Sequence, residues 1–381
     1  MSHVFFDHNS TTALKTEVLE TMLPFMVSQH GNPTSRHVFG RNARDAIEQA
    51  RVQVAAAVNA RPNQVIFTSS GTEANNFAVN GIASGLNHAQ ILYSNVEHPC
   101  VSRPALAMQS RGWQARGIGV DANCNIDMHH LHNLLGAPTN LVSVMLANNE
   151  TGAIQDLLAI SDLSRQHKAL LHTDAVQGLG KINVDFAALG VNAMTLSSHK
   201  IGGPLGAGAL IVDKRIDIQP LLHGGGQERG LRSGTENLAA IVGFGAACEL
   251  ATQNLDAFVK HTLTLRDFLE MGLLKLKAIL FGTVANRITN TSFFAFNHIE
   301  GETLVTALDK QGFAVASGSA CSSDSTEPSH VLLAMGVESD LARGAVRVSF
   351  GMSNTLDQVK QFLIVLEQEL TRLRSLTAVA A

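Results

Sequence analysis

The sequence predicts an α/β fold, and three observations carry that prediction. Short apolar, strand-like runs alternate with helical patterns through most of the chain, the signature of a mostly parallel sheet covered on both faces. Asp174 and Lys200, 26 residues apart, each fall where a strand-like run ends, the edge at which such sheets hold ligands. With 381 residues, of which 45% are hydrophobic and 16% charged, the chain has room for a large core and for more than one domain.

In chain order, Val65–Thr68 leads into a helix over about Thr72–Ser84, and Gln90–Tyr93 into one from Pro99. Leu141–Met145 precedes a helix over Asp156–Gln166, and Ala169–Thr173 follows as a strand. Ala193–Leu196 and Ala209–Val212 flank the loop that carries Lys200. A long helical pattern from about Asn237 to Leu276 connects to a second unit. That unit holds Thr291–Phe296, a helix over Glu302–Gln311, Ala345–Phe350 and a final amphipathic helix over about Leu356–Leu373. Residues 377–381 read as a frayed end.

Several function classes are disfavoured. A net charge of −4 without a Lys/Arg run gives no footprint for nucleic acid. No apolar stretch reaches the twenty or so residues a membrane span needs, and the first residues lack a signal-peptide pattern. Four cysteines without CxxC spacing fit a reducing cytoplasm. Met128-His129-His130-Leu131-His132 has no cysteine or acidic ligand set beside it and reads as a solvated helix face rather than a metal site.

The candidate chemistry lies at strand exits. A lysine and a carboxylate so placed suit pyridoxal phosphate (PLP): Lys200 would bind the cofactor covalently, and Asp174 would keep its pyridine nitrogen protonated so that the ring accepts electrons. Ser70, Gly71 and Thr72, at a strand-to-helix turn, can cup a phosphate, or simply cap the helix. His98 can lie over a cofactor ring or cap the helix that follows. Asn149 offers an amide to the ring or to a substrate carboxylate, although Asn148-Asn149 and Thr151-Gly152 also suit a plain turn. Gln177 shares a face with Asp174 if a helix begins there, and could reach the phenolic oxygen. His223–Gly230 and Arg232–Thr235 form a glycine-rich loop able to approach an anion, or a flexible connection. Arg347 suits bidentate capture of a carboxylate, or a surface ion pair. Cys321 stands among small and polar residues, Ala316 to Thr326, a setting that favours an exposed nucleophile able to swing over a buried, inert thiol.

In this order the motifs resemble one family closely: the cysteine desulfurases of the NifS/IscS type, within the class V aminotransferases of PLP fold type I. The resemblance runs from Phe6 to about Leu376, through Gly31–Ser35, Thr68–Asn75, Glu97-His98-Pro99, Ala147–Gly152, His172–Gly180, Ser197–Gly206, His223–Asn237 and Ser317–Cys321. It implies a large domain, residues 13–253, with a mostly parallel seven-stranded sheet between helices. A smaller α+β domain, residues 1–12 with 254–381, would carry the cysteine loop.

The resemblance makes Lys200, Cys321 and His98 catalytic. It places Gly71, Thr72, Ser197 and His199 at the phosphate, joined by Thr235 from the partner subunit of a homodimer. Asp174, Gln177 and His98 hold the ring, and Asn149 and Arg347 hold the substrate carboxylate. The implied reaction takes L-cysteine to L-alanine and leaves its sulfur as a persulfide on Cys321, for delivery to an acceptor or iron–sulfur scaffold protein. No metal site is implied beyond transient cluster ligation by Cys321. Ser10 and Ala316 are mild departures, and the chain stops soon after Leu376, where relatives often continue with a scaffold-docking tail. A selenocysteine lyase or a small-molecule aminotransferase is the nearest rival, and the latter would have no need of Cys321. A catalytically dead binding protein would lack a site residue, and none is missing. A dinucleotide fold is disfavoured because Gly202–Gly208 lacks GxGxxG spacing.

Overall fold

Strand-like runs that are apolar throughout, as in Val65–Phe67 and Ala209–Val212, must be buried on both faces, and the structure buries them so. A computed structural model describes residues 3–318 and 327–380. The chain opens with a two-residue strand, β1 (Val4–Phe5), then α1 (Thr16–Val27) and α2 (Val38–Ala57). Seven strands follow: β2 (Val65–Thr68), β3 (Gln90–Ser94), β4 (Gln114–Ile118), β5 (Thr139–Ser143), β6 (Leu170–Asp174), β7 (Ala193–Ser197) and β8 (Gly208–Val212). Between them run α3 (Gly71–Ser84), α4 (Pro99–Ala107), α5 (Met128–Leu134) and α6 (Leu157–Gln166). The seven strands form one sheet in the order β2-β8-β7-β6-β5-β3-β4. Only β8 runs against its two neighbours; the pairs from β7 across to β4 are all parallel.

Beyond α7 (Leu238–Gln253) and α8 (Leu255–Lys275) lies a smaller antiparallel sheet of β9 (Ile279–Leu280), β10 (Thr291–Ala295), β12 (Ala316–Ser317) and β13 (Val346–Ser349), ordered β12-β13-β10-β9. Helices α9 (Gly301–Lys310) and α12 (Leu356–Ala380) accompany it, with two short helices, α10 (His330–Ala334) and α11 (Ser339–Arg343), beside β13. The N-terminus joins this part: β1 pairs in parallel with β11 (Phe313–Ala314), and Asp7 bridges to Ser349. Phe6 is fully buried there, edge-on to Phe350 and Phe362. Residues 3–12 therefore run from the small sheet to the carboxyl edge of the large one.

Three features differ from the sequence expectation. The long helical pattern is two helices bent by 69° at Asn254, whose backbone N–H and side-chain amide both bond back to the Leu250 carbonyl and close the first helix. Gln177 lies in a run of turns rather than a helix. The last helix continues to Ala380, past the expected end near Leu373 and into the residues read as a frayed end. The sequence reading also passed over α1, α2 and β4. The edge strand β4, Gln114–Ile118, is half exposed and carries an arginine and a glycine, so it shows no apolar run.

His172 sits in β6 between Ser143 of β5 (Nδ1 to Oγ, 2.8 Å) and Thr195 of β7 (Nε2 to Oγ1, 3.1 Å). Burial lowers its pKa from 6.5 to about 3. Between those values the unfolded chain binds a proton that the folded one does not, so stability falls as the pH drops below 6.5. This residue alone should cost about 2 kcal/mol between pH 6.5 and pH 5. Denaturant titrations of wild type and His172→Gln should show a shallower acid slope in the variant; equal slopes would contradict the assignment.

Candidate active site

The carboxyl ends of β2, β3, β5, β6 and β7 surround a cavity of about 340 Å³, lined among others by Gly71, His98, Asn149, Asp174, Lys200 and Arg347. Gln177, Thr72, Ser197 and His199 also reach it. The structure thus brings together ten of the twelve residues singled out from sequence. Thr235 is exposed and does not line this cavity, and Cys321 lies outside the described residues.

One end of the cavity suits a phosphate. Ser70 caps α3 by accepting from the Glu73 N–H at 3.1 Å, and the first N–H groups of a helix point at whatever sits before it. A Cβ on Gly71 would come within 3.1 Å of Val176 Cγ2 and 3.2 Å of the Ser197 Cβ, so a larger residue here would press on the cradle. The Ser197 hydroxyl is buried without a hydrogen-bond partner among the described residues, a donor left for a ligand. His199, whose Nδ1 lies 3.1 Å from Thr11 Oγ1, is kept neutral to about pH 4 by burial and by Lys200.

At the other end Asp174 closes β6. Its Oδ1 accepts from the Val176 N–H at 2.9 Å and its Oδ2 from Asn75 Nδ2 at 2.7 Å. Asn75 also donates to Cys100 Sγ at 3.0 Å, and Cys100 Sγ lies 2.8 Å from His98 Nδ1. Because the Cys100 N–H donates to the same Nδ1 at 3.2 Å, the His98 proton belongs on Nε2. Burial lowers the His98 pKa; Lys200, His330 and Arg103 act the same way and Asp174 opposes them. His98 lines the cavity and is also the N-cap of α4.

Lys200 follows β7 in a single 3₁₀ turn, and its Nζ donates to the carbonyls of Asn9 and Ser10, each at 2.6 Å. Asn9 Oδ1 in turn accepts from Lys181 and Asn290, and the Asn9 carbonyl also accepts from Gln177 Nε2 at 2.9 Å. Arg347 enters from β13, the small sheet's contribution. Its Nη1 donates to the Asn149 carbonyl at 2.9 Å, and Nη2 to Asp7 at 2.7 Å and Ser10 Oγ at 2.9 Å. It is buried, not the surface arginine that was the alternative.

Two buried glutamates flank this side. Glu97 accepts from the Met145 N–H at 2.6 Å, and burial, with Asp174 nearby, raises its pKa well above the carboxylate range. Glu150 accepts from Ser329 Oγ at 2.5 Å, and burial likewise raises it. Sequence reasoning missed Asn9, Asn75, Cys100 and Lys181. Asn9 and Asn75 lay inside the motifs above, but nothing in their spacing marks them as partners of residues far along the chain, 99 positions for Asn75 and Asp174 and up to 340 for Asn9 and Ser349.

A lysine and an aspartate at adjacent strand ends, a small-residue anion cradle and a buried open hydroxyl fit a phosphorylated pyridine, and this fold with this site defines a PLP-dependent enzyme of fold type I. The chain belongs to the class-V aminotransferase family, which it matches over residues 4–362. It is 40% identical over 378 residues to the cysteine desulfurase IscS of Dictyoglomus turgidum, covering 98% of this chain and 96% of that one. The IscS of Methanosarcina thermophila is 39% identical over 98% of this chain and 93% of its own. A solved NifS-like protein superposes with a TM-score of 0.92 at 36% identity, covering 97% of this chain and 99% of that one. SspA, solved in complex with cysteine, gives 0.79 at 29% identity over 91% and 98%.

The described cysteines should be chemically quiet. Burial pushes the Cys100 thiol up to about 12, with Asp174 adding to it, and the Cys124 thiol to about 12; Cys248 is raised by burial as well. Iodoacetamide near neutral pH should leave all three unmodified in the folded protein and label them in denaturant. Native alkylation of Cys100 at a free thiol's rate, seen by peptide mass spectrometry, would contradict this environment.

Proposed function

We propose that this chain is a cysteine desulfurase that removes sulfur from L-cysteine, releases L-alanine and retains the sulfur as a persulfide on Cys321. The observation that carries the reading is Lys200 and Asp174 at the ends of neighbouring strands, with Arg347 brought to the same cavity from the small sheet. We read the chain as two domains, 13–253 and 1–12 with 254–381, so that the cavity lies between them.

PLP, when bound, supplies an electron sink for bonds breaking at the substrate's α-carbon. Gly71, Thr72, Ser197 and His199 would hold its phosphate, Asp174 its ring nitrogen, Gln177 its phenolic oxygen and His98 its ring face. Asn149 and Arg347 would take the substrate carboxylate, which needs a fixed cation in a site closed to water. Lys200 would hold the cofactor through its amine and would move the proton at the substrate's α-carbon. The Cys321 thiolate attacks the substrate sulfur: an S–S bond forms and the Cβ–S bond breaks. The electron pair stays with the carbon skeleton, which takes up a proton to become alanine.

Thr235 supports a dimer, because an exposed hydroxyl outside the chain's own cavity can complete the phosphate site of a second copy. Met26, Val27, Val38, Phe39 and Leu205, all half exposed or more, give that copy an apolar surface to cover. Further expectations are a cytoplasmic setting, consistent with free Cys100, Cys124 and Cys248, and a protein that accepts the sulfur.

Cys321→Ser should keep the visible absorbance of bound PLP while alanine formation from cysteine falls to background. In the wild type, one extra sulfur should appear on the Cys321 peptide after cysteine is added. Alanine and sulfide released by the variant at the wild-type rate would refute the assignment.

A further inference from the structure

Lys181 has no part in the scheme above, yet it stands directly behind Asn9 and Gln177, which line the cavity. It is 3% exposed, and its amine donates to Asn9 Oδ1 at 2.8 Å and to Gln177 Oε1. Both partners are neutral amide oxygens, an unusual arrangement for a buried lysine, which ordinarily meets a carboxylate. Its charged neighbours are cations. Burial, then Lys200 and Arg347, hold its amine well below the ordinary lysine value, and it depresses His8 in turn. Behind it lies a second cavity of about 360 Å³, bordered by Lys15, Phe258 and Lys200 itself. The wall between the two cavities therefore has open space on both sides, and its own hydrogen bonds must hold it.

The direction of those bonds fixes the wall's polarity. Main-chain carbonyls can only accept, so the bonds from Gln177 Nε2 to the Asn9 carbonyl and from Asn9 Nδ2 to the Asn149 carbonyl turn both amide oxygens toward Lys181. The Gln177 NH₂ is then turned away: one N–H goes to the Asn9 carbonyl at 2.9 Å, and the second remains for the active-site cavity that Gln177 lines. The Asn9 NH₂ is likewise turned to Thr291 Oγ1 and the Asn149 carbonyl. Its main-chain carbonyl stays on Lys200 at 2.6 Å.

We propose that Lys181 is a positioning residue for the chemistry at Lys200: by donating to Asn9 Oδ1 and Gln177 Oε1 it fixes both amides. Gln177 thereby keeps an N–H for the cofactor, and Asn9 keeps its carbonyl on the catalytic lysine. The inference rests on the cofactor reading above and adds a residue that reading does not use.

The test is a double-mutant cycle in the full-length enzyme loaded with PLP, using Lys181→Met, Gln177→Leu and the double variant. Lys181→Met should displace the absorbance maximum of the bound cofactor. It should lower kcat for alanine formation about tenfold, the loss expected for one or two hydrogen bonds, with KM for L-cysteine changed less than about twofold. Gln177→Leu should move the band in the same direction, and the double variant should lose less than the sum of the two single losses, because part of the effect of Lys181 runs through Gln177. Lys181→Gln, which keeps a single donor, guards against a folding defect and should fall between wild type and Lys181→Met. A folded Lys181→Met or Lys181→Gln with the wild-type band and kcat would overturn the proposal, as would additive losses in the double variant. If the wild type itself gains no visible band with PLP, the cofactor reading fails and this inference with it; a normal wild type beside an unaffected variant sinks this inference alone.

Discussion

One buried side chain ties the halves of this site together. Asn9, 1% exposed, uses its polar groups in seven hydrogen bonds. Its N–H donates to Ser349 and its amide to Thr291 and Asn149, while its two oxygens accept from Gln177, Lys181, Lys200 and Asn290. The large sheet contributes Asn149, Gln177, Lys181 and Lys200, and the C-terminal part contributes Asn290, Thr291 and Ser349. Neither half carries a complete site. The N-terminal segment, held to the small sheet by β1 and by Phe6, delivers Asn9 to the place where both can bond to it.

Such a node has an electrostatic consequence. Lys181 and Lys200 both donate to Asn9, and Arg347 lies beside them, paired with Asp7 at 2.7 Å. Burial answers the crowding by favouring neutral forms. Lys181, His98 and His199 are pushed toward the uncharged base, and Glu97 and Glu150 toward the uncharged acid. The cavity walls are thus largely neutral donors and acceptors with a residue of positive charge, which suits a doubly anionic phosphate and an amino-acid carboxylate. A site tuned this way tolerates anionic ligands without a metal-like concentration of ligating groups.

Much of this was legible in the sequence where chemistry and periodicity coincide. Asp174 and Lys200 announce themselves because each stands where an apolar run ends, and the mostly parallel character of the large sheet follows from alternating elements. Ser70-Gly71-Thr72 and His98 were readable in two ways, and the structure shows that capping and cavity lining are the same geometry: a helix start beside a ligand needs both. Gln177 was placed correctly at the site for an incomplete reason, since a run of turns rather than a helix brings it there. What could not be read is contact across long separations. Asn9 meets Asn290 and Thr291 some 280 positions later, and Asn75 meets Asp174 across 99; no local pattern encodes either. The break at Asn254 was hidden because the apolar pattern continues on both sides of it, and only the side-chain bond to Leu250 reveals the stop.

The account stands on one covalent position for the cofactor. Two lysines meet at Asn9, the buried Lys181 and the half-buried Lys200, and of these the second follows a sheet strand beside Asp174. Borohydride reduction of the PLP-loaded protein, followed by peptide mapping, would locate the linkage directly. The account predicts the reduced cofactor on the peptide containing Lys200 and none on that containing Lys181. Label on Lys181, or on neither, would contradict it.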